Sequence, residues 1–203
     1  MTVSVHDHRT ALLHLLATHS FKLGEFVLSS GAKSDYYIDC RTTTLHAEGG
    51  RLTGLVIHEL IREHMPHTQA VGGLTMGADP LVSNVASASA WHALEHPGSP
   101  LVHGFLVRKS EKTHGTGRKI EGFLQPGAHV VIVDDVCTTG GSTITAIAAA
   151  REAGMVVSGV FCLVEREEHN GRPTVEAAAA PAPFISVFTA SDVRHAHIAH
   201  MPL

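Results

Sequence analysis

Two adjacent carboxylates, Asp134 and Asp135, stand just ahead of a run of hydroxyl and glycine residues, Thr138-Thr139-Gly140-Gly141-Ser142-Thr143. Glycines lack a Cβ and let backbone N–H groups close on an anion, and the hydroxyls beside them add donors. A helix starting where this loop ends would point its positive dipole end at the same spot. The two carboxylates suit ribose hydroxyls and positive charge developing at a sugar carbon. The G-x-x-x-x-G-K spacing of a triphosphate loop is missing, and a loop of this size suits one terminal monophosphate.

Such a site needs rigid support on both sides. Upstream, Val130-Val131-Ile132-Val133 is a β-branched run of the kind found in strands buried on both faces of a parallel sheet. Downstream, Ile144, Ile147, Ala148 and Arg151 take up a helical period. In open α/β sheets ligands sit beyond the carboxyl ends of the strands, where the acidic pair falls.

Three other places carry candidate chemistry. The segment 108–122 holds Arg108, Lys109, Lys112, His114, Arg118 and Lys119 among glycines, with almost no apolar content. A charge run of this kind is ordinarily a solvated loop, and the competing reading is a lid that neutralises a polyanion. Arg166 follows a strand expected over 155–163, on the same rim as Asp134. It could grip a substrate carboxylate with two parallel bonds, or pair with Glu165 or Glu168. Tyr36 and Tyr37, the two tyrosines of the chain, sit in an expected hairpin whose alternation runs through Phe26, Leu28, Tyr36 and Ile38, with a turn at Ser30-Gly31. They read either as ordinary hairpin residues or as an aromatic wall for a heterocycle.

A chain of 203 residues, 44% hydrophobic and 17% charged, fits one α/β domain with its own core. A net charge of −4 argues against a nucleic-acid partner. No apolar run approaches the roughly 20 residues of a membrane span, and residues 1–9 lack the apolar stretch of a signal peptide. Cys40, Cys137 and Cys162 are far apart without a C-x-x-C, which suits a reducing, cytoplasmic setting. Among the 17 histidines none forms H-E-x-x-H. The cluster His195, His197 and His200, with only Asp192 near it, reads as a solvated final helix rather than a metal site.

The remaining elements follow from pattern. Asp7 is placed to cap a first helix carrying Ala11, Leu12, Leu15 and Leu16 and ending near Ser20. A helix is expected over 47–64 and a buried strand over 70–74. A small-residue turn at 75–79 leads to Pro80, opening a helix with Leu81, Val82, Val85, Ala86 and Trp91. Strands are expected over 101–107 and 183–188, the latter after an Ala/Pro-rich connector, 176–183. Thr189-x-x-Asp192 resembles a capping box opening a last helix.

Residues 130–142 resemble the phosphoribosyl-diphosphate (PRPP) binding motif of the type I phosphoribosyltransferases. Phe26-x-Leu28-x-Ser30-Gly31-x-Lys33-Ser34-x-Tyr36 resembles the N-terminal signature of the orotate phosphoribosyltransferase family. Arg108-Lys109-x-x-Lys112-x-His114-Gly115 is similar to that family's catalytic loop, and Glu165-Arg166 and Phe188-Thr189-x-x-Asp192 match as well. Purine-specific relatives share the central motif but not the N-terminal signature. The resemblance implies one α/β domain of the type I phosphoribosyltransferase fold, with a mainly parallel five-stranded sheet flanked by helices. The core would span about 46–185, under a small hood from about 1–45 and part of the C-terminal region. It implies transfer of the ribose 5-phosphate group of PRPP to orotate in pyrimidine biosynthesis, homodimers sharing the basic loop across their interface, and Mg²⁺ carried on the diphosphate.

Carried over residue by residue, the resemblance makes Lys112, His114, Asp134 and Asp135 the catalytic group. Arg108, Lys109, Lys112 and His114 would contact the diphosphate. Asp134, Asp135, Val136, Cys137, Thr138, Thr139, Gly140, Gly141 and Ser142 would contact the ribose 5-phosphate. Thr138 and Arg166 would contact orotate, with Tyr36 and Tyr37 beside its ring. The chain departs from better-known members, which have a lysine at Ser29 and a Tyr-Lys pair at Met76-Gly77. Its cationic contacts must then come from the basic loop, Lys33 or the metal. The competing functions are a phosphoribosyltransferase for another base and a PRPP-sensing regulator, which would be expected to carry an added DNA-binding region.

Overall fold

A computed structural model of the chain describes residues 5–27, 33–109 and 119–200. Helix α1 (Val5–Leu15) widens into a π-helical turn, Leu16–Ser20, and delivers an antiparallel hairpin of β1 (Phe21–Val27) and β2 (Lys33–Ile38). The short helix α2 (Arg41–Thr44) and the long α3 (Ala47–His64) lead to β3 (Ala70–Leu74), α4 (Ala78–Glu95), β4 (His103–Val107) and β5 (Ile120–Gly122). Then come β6 (His129–Cys137), α5 (Gly141–Glu152), β7 (Val156–Glu165), α6 (Gly171–Ala179), β8 (Phe184–Thr189) and α7 (Ala190–Ala199).

The Val130–Val133 run forms the middle of β6, and its alternation feeds two separate cores. Val131 and Val133 pack with Leu52, Val56, Leu81 and Val85 of α3 and α4. Val130 and Ile132 pack on the other face with Ala146 and Ile147 of α5 and Val175 of α6. A strand covered on both faces cannot alternate polar and apolar residues, which is why this one reads as continuous β-branched sequence.

The central sheet has the order β5-β4-β3-β6-β7-β8. Its β4, β3, β6, β7 and β8 are mutually parallel, as the five-stranded expectation requires. Strand β5 is an addition, an antiparallel edge pairing Ile120 with Val107 and Gly122 with Phe105. It falls at the end of the segment read as a basic loop, and one buried residue, Ile120, anchors it.

The hairpin is a sheet of its own, held by both ends of the chain. Arg9 donates to the Val187 carbonyl at 2.5 Å, Arg194 to Asp35 at 2.6 Å, and the His197 ring meets the Ala17 carbonyl at 2.7 Å and packs on Phe21. The last helix is therefore not simply solvated, although its capping box forms as expected between Thr189 and Asp192. Three further expectations shift. Asp7 lies inside the first turn of α1 rather than before it, because the helix already runs from Val5. Pro80 lies in the first turn of α4 rather than opening it, because the helix already runs from Ala78. The connector over 176–183 begins inside α6, which buries Val175 and Ala179 one turn apart. The turn expected at Ser30-Gly31 lies outside the described residues.

Candidate active site

Chain order reverses between β3 and β6, and a cleft of about 870 Å³ opens beyond their carboxyl ends. Both the place and the size are those of small-molecule sites in α/β sheets.

At one end lies the acidic pair with the hydroxyl-glycine loop. Asp134 is buried: its Oδ2 accepts from the Thr143 hydroxyl and its Oδ1 from the Asp135 N–H at 3.1 Å. Burial pushes its carboxyl up to about 7, assisted by the neighbouring Asp135 charge and opposed by the Thr143 bond. Burial also raises Asp135, against a hydrogen bond from the Val136 N–H and the positive charge of Arg41. Gly140 is left-handed, with φ at +81°, and a Cβ there would stand 2.4 Å from the Val175 side chain. Glycine is thus demanded by the turn and by α6 together. Helix α5 starts immediately after, and Thr138 and Ser142 line the cleft with Asp134, Asp135 and Val136. Cys137 is 1% exposed, and its N–H donates to the Cys162 sulfur at 3.1 Å. Its thiol belongs to the core, so a ligand would meet only the backbone at this position.

Facing that pair is the turn after β3, where Thr75, Met76 and Gly77 line the cleft. The Thr75 hydroxyl caps toward Asp79 at 2.8 Å, and its N–H bonds to the Val107 carbonyl at 2.9 Å. A Cβ on Gly77 would lie 2.3 Å from Asp135 Oδ1, so the position has no room for a side chain while Asp135 keeps its place. Arg108 and Lys109 border the same region, with Arg108 Nε 3.1 Å from Glu121. Lys112 and His114 lie outside the described residues, as does Ser29.

The opposite end is assembled from distant segments. The Arg166 N–H bonds to the Cys137 carbonyl at 2.9 Å, which brings Arg166 beside Thr138 at the cleft rim. Its guanidinium is 7% exposed; Nε donates to the Tyr36 hydroxyl at 2.8 Å, and Nη2 to Glu168 at 2.9 Å and Ser34 at 3.2 Å. The Tyr36 hydroxyl in turn donates to Glu168. Burial and then the Glu168 bond raise the Tyr36 phenol. Of the two acidic partners open to Arg166, Glu168 is the one it takes, while Glu165 pairs with Arg172.

Tyr36 therefore does not line the cleft. It is 7% exposed, stacked on Phe21 and under the Arg166 guanidinium. Neighbours on a strand face opposite ways, so only one of the two tyrosines could form the wall, and Tyr37 is that one. Asp39 and Arg41 also line the cleft and were not singled out from sequence. The signal was there for Asp39, two residues on from Tyr37, but not for Arg41, which opens helix α2.

No family model matches the chain. The orotate phosphoribosyltransferase of Synechocystis sp. is 42% identical over 191 residues, covering 93% of this chain and 90% of that protein. That of Aquifex aeolicus is 41% identical over 188 residues, covering 91% and 97%. A crystal structure of Mycobacterium tuberculosis orotate phosphoribosyltransferase in complex with 5-phospho-alpha-D-ribosyl 1-diphosphate matches with a TM-score of 0.72 at 32% identity, covering 92% of this chain and 98% of that chain. Adenine phosphoribosyltransferase from Leishmania tarentolae, at 13% identity and a TM-score of 0.65, is alike in fold alone.

Proposed function

The chain belongs to the orotate phosphoribosyltransferases, and from that premise we propose that the cleft between β3 and β6 moves the ribose 5-phosphate group of PRPP onto orotate. The products are orotidine 5'-monophosphate and diphosphate, a step of pyrimidine biosynthesis. The observation that carries the assignment is the joint opening of two unlike ends onto one cleft. One end offers backbone donors and a helix N-terminus for phosphate; the other offers a fixed guanidinium for a carboxylate.

The residues divide the substrates accordingly. Thr138, Ser142 and the backbone of Thr139–Gly141 take the 5-phosphate. Asp134 and Asp135 take the ribose hydroxyls. Thr75–Gly77, Arg108 and Lys109 face the diphosphate, joined by Lys112 and His114. Thr138, Tyr37 and Arg166 receive orotate, with Arg166 facing its carboxylate. As the bond from C1 to diphosphate breaks and the bond to the orotate nitrogen forms, C1 gains positive charge. Asp135, raised by burial in the free protein, then gains a cationic neighbour and is stabilised as a carboxylate. Exclusion of water matters because hydrolysis of PRPP is the competing reaction.

Among the described residues no group of three or more His, Cys, Asp or Glu could hold a metal ion, and both Asp134 oxygens already accept hydrogen bonds. The donor set fits Mg²⁺ carried on the diphosphate, with Asp135, which abuts the Gly77 turn, as the carboxylate that would help hold it, since Mg²⁺ commonly binds through one or two carboxylates plus substrate phosphates. Bound there, it would neutralise charge on the departing diphosphate. The proposal extends to a homodimer sharing the basic loop, in which Arg108 and Lys109 stay with their own cleft and the Lys112 and His114 that join them are the neighbouring chain's. The exposed Trp91 and Leu94 of α4 offer apolar surface of the kind an interface covers. Three buried free thiols suit a reducing cytoplasm, and among the described residues no helix is long and apolar enough to cross a membrane.

The test is the ultraviolet absorbance of orotate on adding PRPP, with and without Mg²⁺. Metal-dependent loss with orotidine monophosphate as product is expected. Bound PRPP with no change in orotate would move the assignment to another base or to a PRPP sensor.

A further inference from the structure

Among the described residues, four cationic side chains line the cleft: Arg41, Arg108, Lys109 and Arg166. Arg166 is turned to Tyr36 and Glu168 at the base end, and Arg108 to Glu121. Arg41 belongs to neither group and to neither sequence motif.

Its hold is rigid and local. Arg41 Nε and Nη2 donate to the two carboxylate oxygens of Asp39 at 2.9 and 2.8 Å, and its backbone N–H meets the same carboxylate at 3.1 Å. That bond is the first cause holding Asp39 below the usual carboxylate range. Asp39 is itself pinned by its N–H to the Ser20 carbonyl at 2.9 Å, and Cys40 between them is fully buried. With its side chain 43% exposed, the guanidinium is fixed along one edge and still open to the cleft.

Its position within the cleft follows from its neighbours. Arg41 and Asp135 each act on the other's ionisation. Asp135 lies against Gly77, where a Cβ would come within 2.3 Å of it. Arg41 thus shares the cleft with Asp135 and with the Thr75–Gly77 turn that Asp135 abuts. A turn with no room for a side chain at 77 and neutral residues at 75 and 76 can offer an anion no charge, so the charge on that wall has to come from elsewhere.

We propose that Arg41, oriented by Asp39, is a ligand of the diphosphate group of PRPP and supplies fixed positive charge facing the side-chain-free turn at Gly77. This rests on PRPP being the substrate of the cleft. An exposed ion pair between near neighbours contributes little to stability, so Arg41 can be changed in a folded protein.

The experiment is titration calorimetry of inorganic diphosphate with Mg²⁺, and separately of ribose 5-phosphate, on the wild type, Arg41→Gln and Arg41→Lys. Loss of charge-assisted bonds predicts diphosphate affinity weakened about 10-fold or more in Arg41→Gln, with ribose 5-phosphate within about twofold. Arg41→Lys should regain part of the diphosphate affinity. Unchanged diphosphate affinity in Arg41→Gln, or equal weakening for both ligands, would overturn the role. A wild type that binds neither diphosphate nor PRPP would remove the substrate reading itself, and the proposal with it.

Discussion

The two ends of the cleft are built on different plans. The phosphate end is a single contiguous stretch, 134–143, in which one strand stops, a left-handed glycine turns the chain and a helix starts. Its geometry is a property of the backbone. The base end joins Ser34 and Tyr36 to Arg166 and Glu168, across 130 residues or more of sequence, and exists only while the hairpin is docked on the segment that follows β7. The first concentrates an electrostatic cost, a carboxylate buried beside another carboxylate. The second spreads its work over hydrogen bonds that fix one guanidinium. Damage to them should therefore look different, in charge and the pH dependence of stability at the phosphate end and in orotate rather than PRPP binding at the base end.

The largest expected effect tests the phosphate end. Asp134 is raised from 3.8 to about 7, so the folded protein holds its proton more tightly than the unfolded chain does. Stability from this group is full below the unfolded value, near 3.8, and is lost as pH rises through about 7. Asp134→Asn removes that slope. The ligand-free variant should be more stable than the wild type at pH 8 by on the order of 2–4 kcal/mol, with a smaller difference at pH 4.5. Its kcat/KM should fall about 100-fold or more, as when a group aimed at developing charge is lost. Urea unfolding at the two pH values reads the first effect and steady-state kinetics the second. Identical pH slopes in the two proteins would mean that the buried carboxylate is not where the cost is concentrated.

Arg166→Ala is the matching change at the base end. Loss of a charged hydrogen-bond donor predicts a fall of roughly 10- to 100-fold in kcat/KM for orotate, carried mainly by KM. The KM for PRPP should stay within about twofold. Glu168 has 45% of its side chain exposed and can rehydrate, so the stability loss should be near the lower end of about 1–3 kcal/mol. A parallel rise in both KM values would erase the distinction between the ends.

The same contrast explains what could be read in the sequence. The phosphate end was legible because its signals are adjacent: a β-branched run, two aspartates, glycines and a helical period. Arg166 was legible as a rim residue, but the choice of Glu168 over Glu165 was not, since it depends on Arg172 drawing Glu165 to the other side of β7. Strand β5 was missed because three residues with one apolar anchor carry no period. Helix α6 was missed because Gly171 and Pro173 near its start and the alanines after it read as a connector, leaving Val175 and Ala179 as its only fully buried side chains. Asp39 was passed over because β2 ends at Ile38, and Arg41 because it opens the short helix α2, where no strand alternation points to it.

Tyr36→Phe gives the smallest effect and the sharpest test. The ring remains, with its stack on Phe21 at 5.1 Å and its face 4.4 Å from the Arg166 guanidinium. Only the hydroxyl goes, and with it one bond received from Arg166 Nε and one given to Glu168. Arg166 keeps its bonds to Glu168 and Ser34, so its charge stays at the rim while one of its restraints is lost. A net hydrogen bond of about 1 kcal/mol predicts a three- to tenfold rise in the KM for orotate. Both kcat and the KM for PRPP should be unchanged, because no atom of Tyr36 reaches the cleft. A fall in kcat at constant KM would place the tyrosine in the chemistry instead, and an equal loss of affinity for both substrates would mean that the hairpin had come away from Arg166 and Glu168. Only the isolated change in orotate KM is what a residue acting through Arg166 can produce.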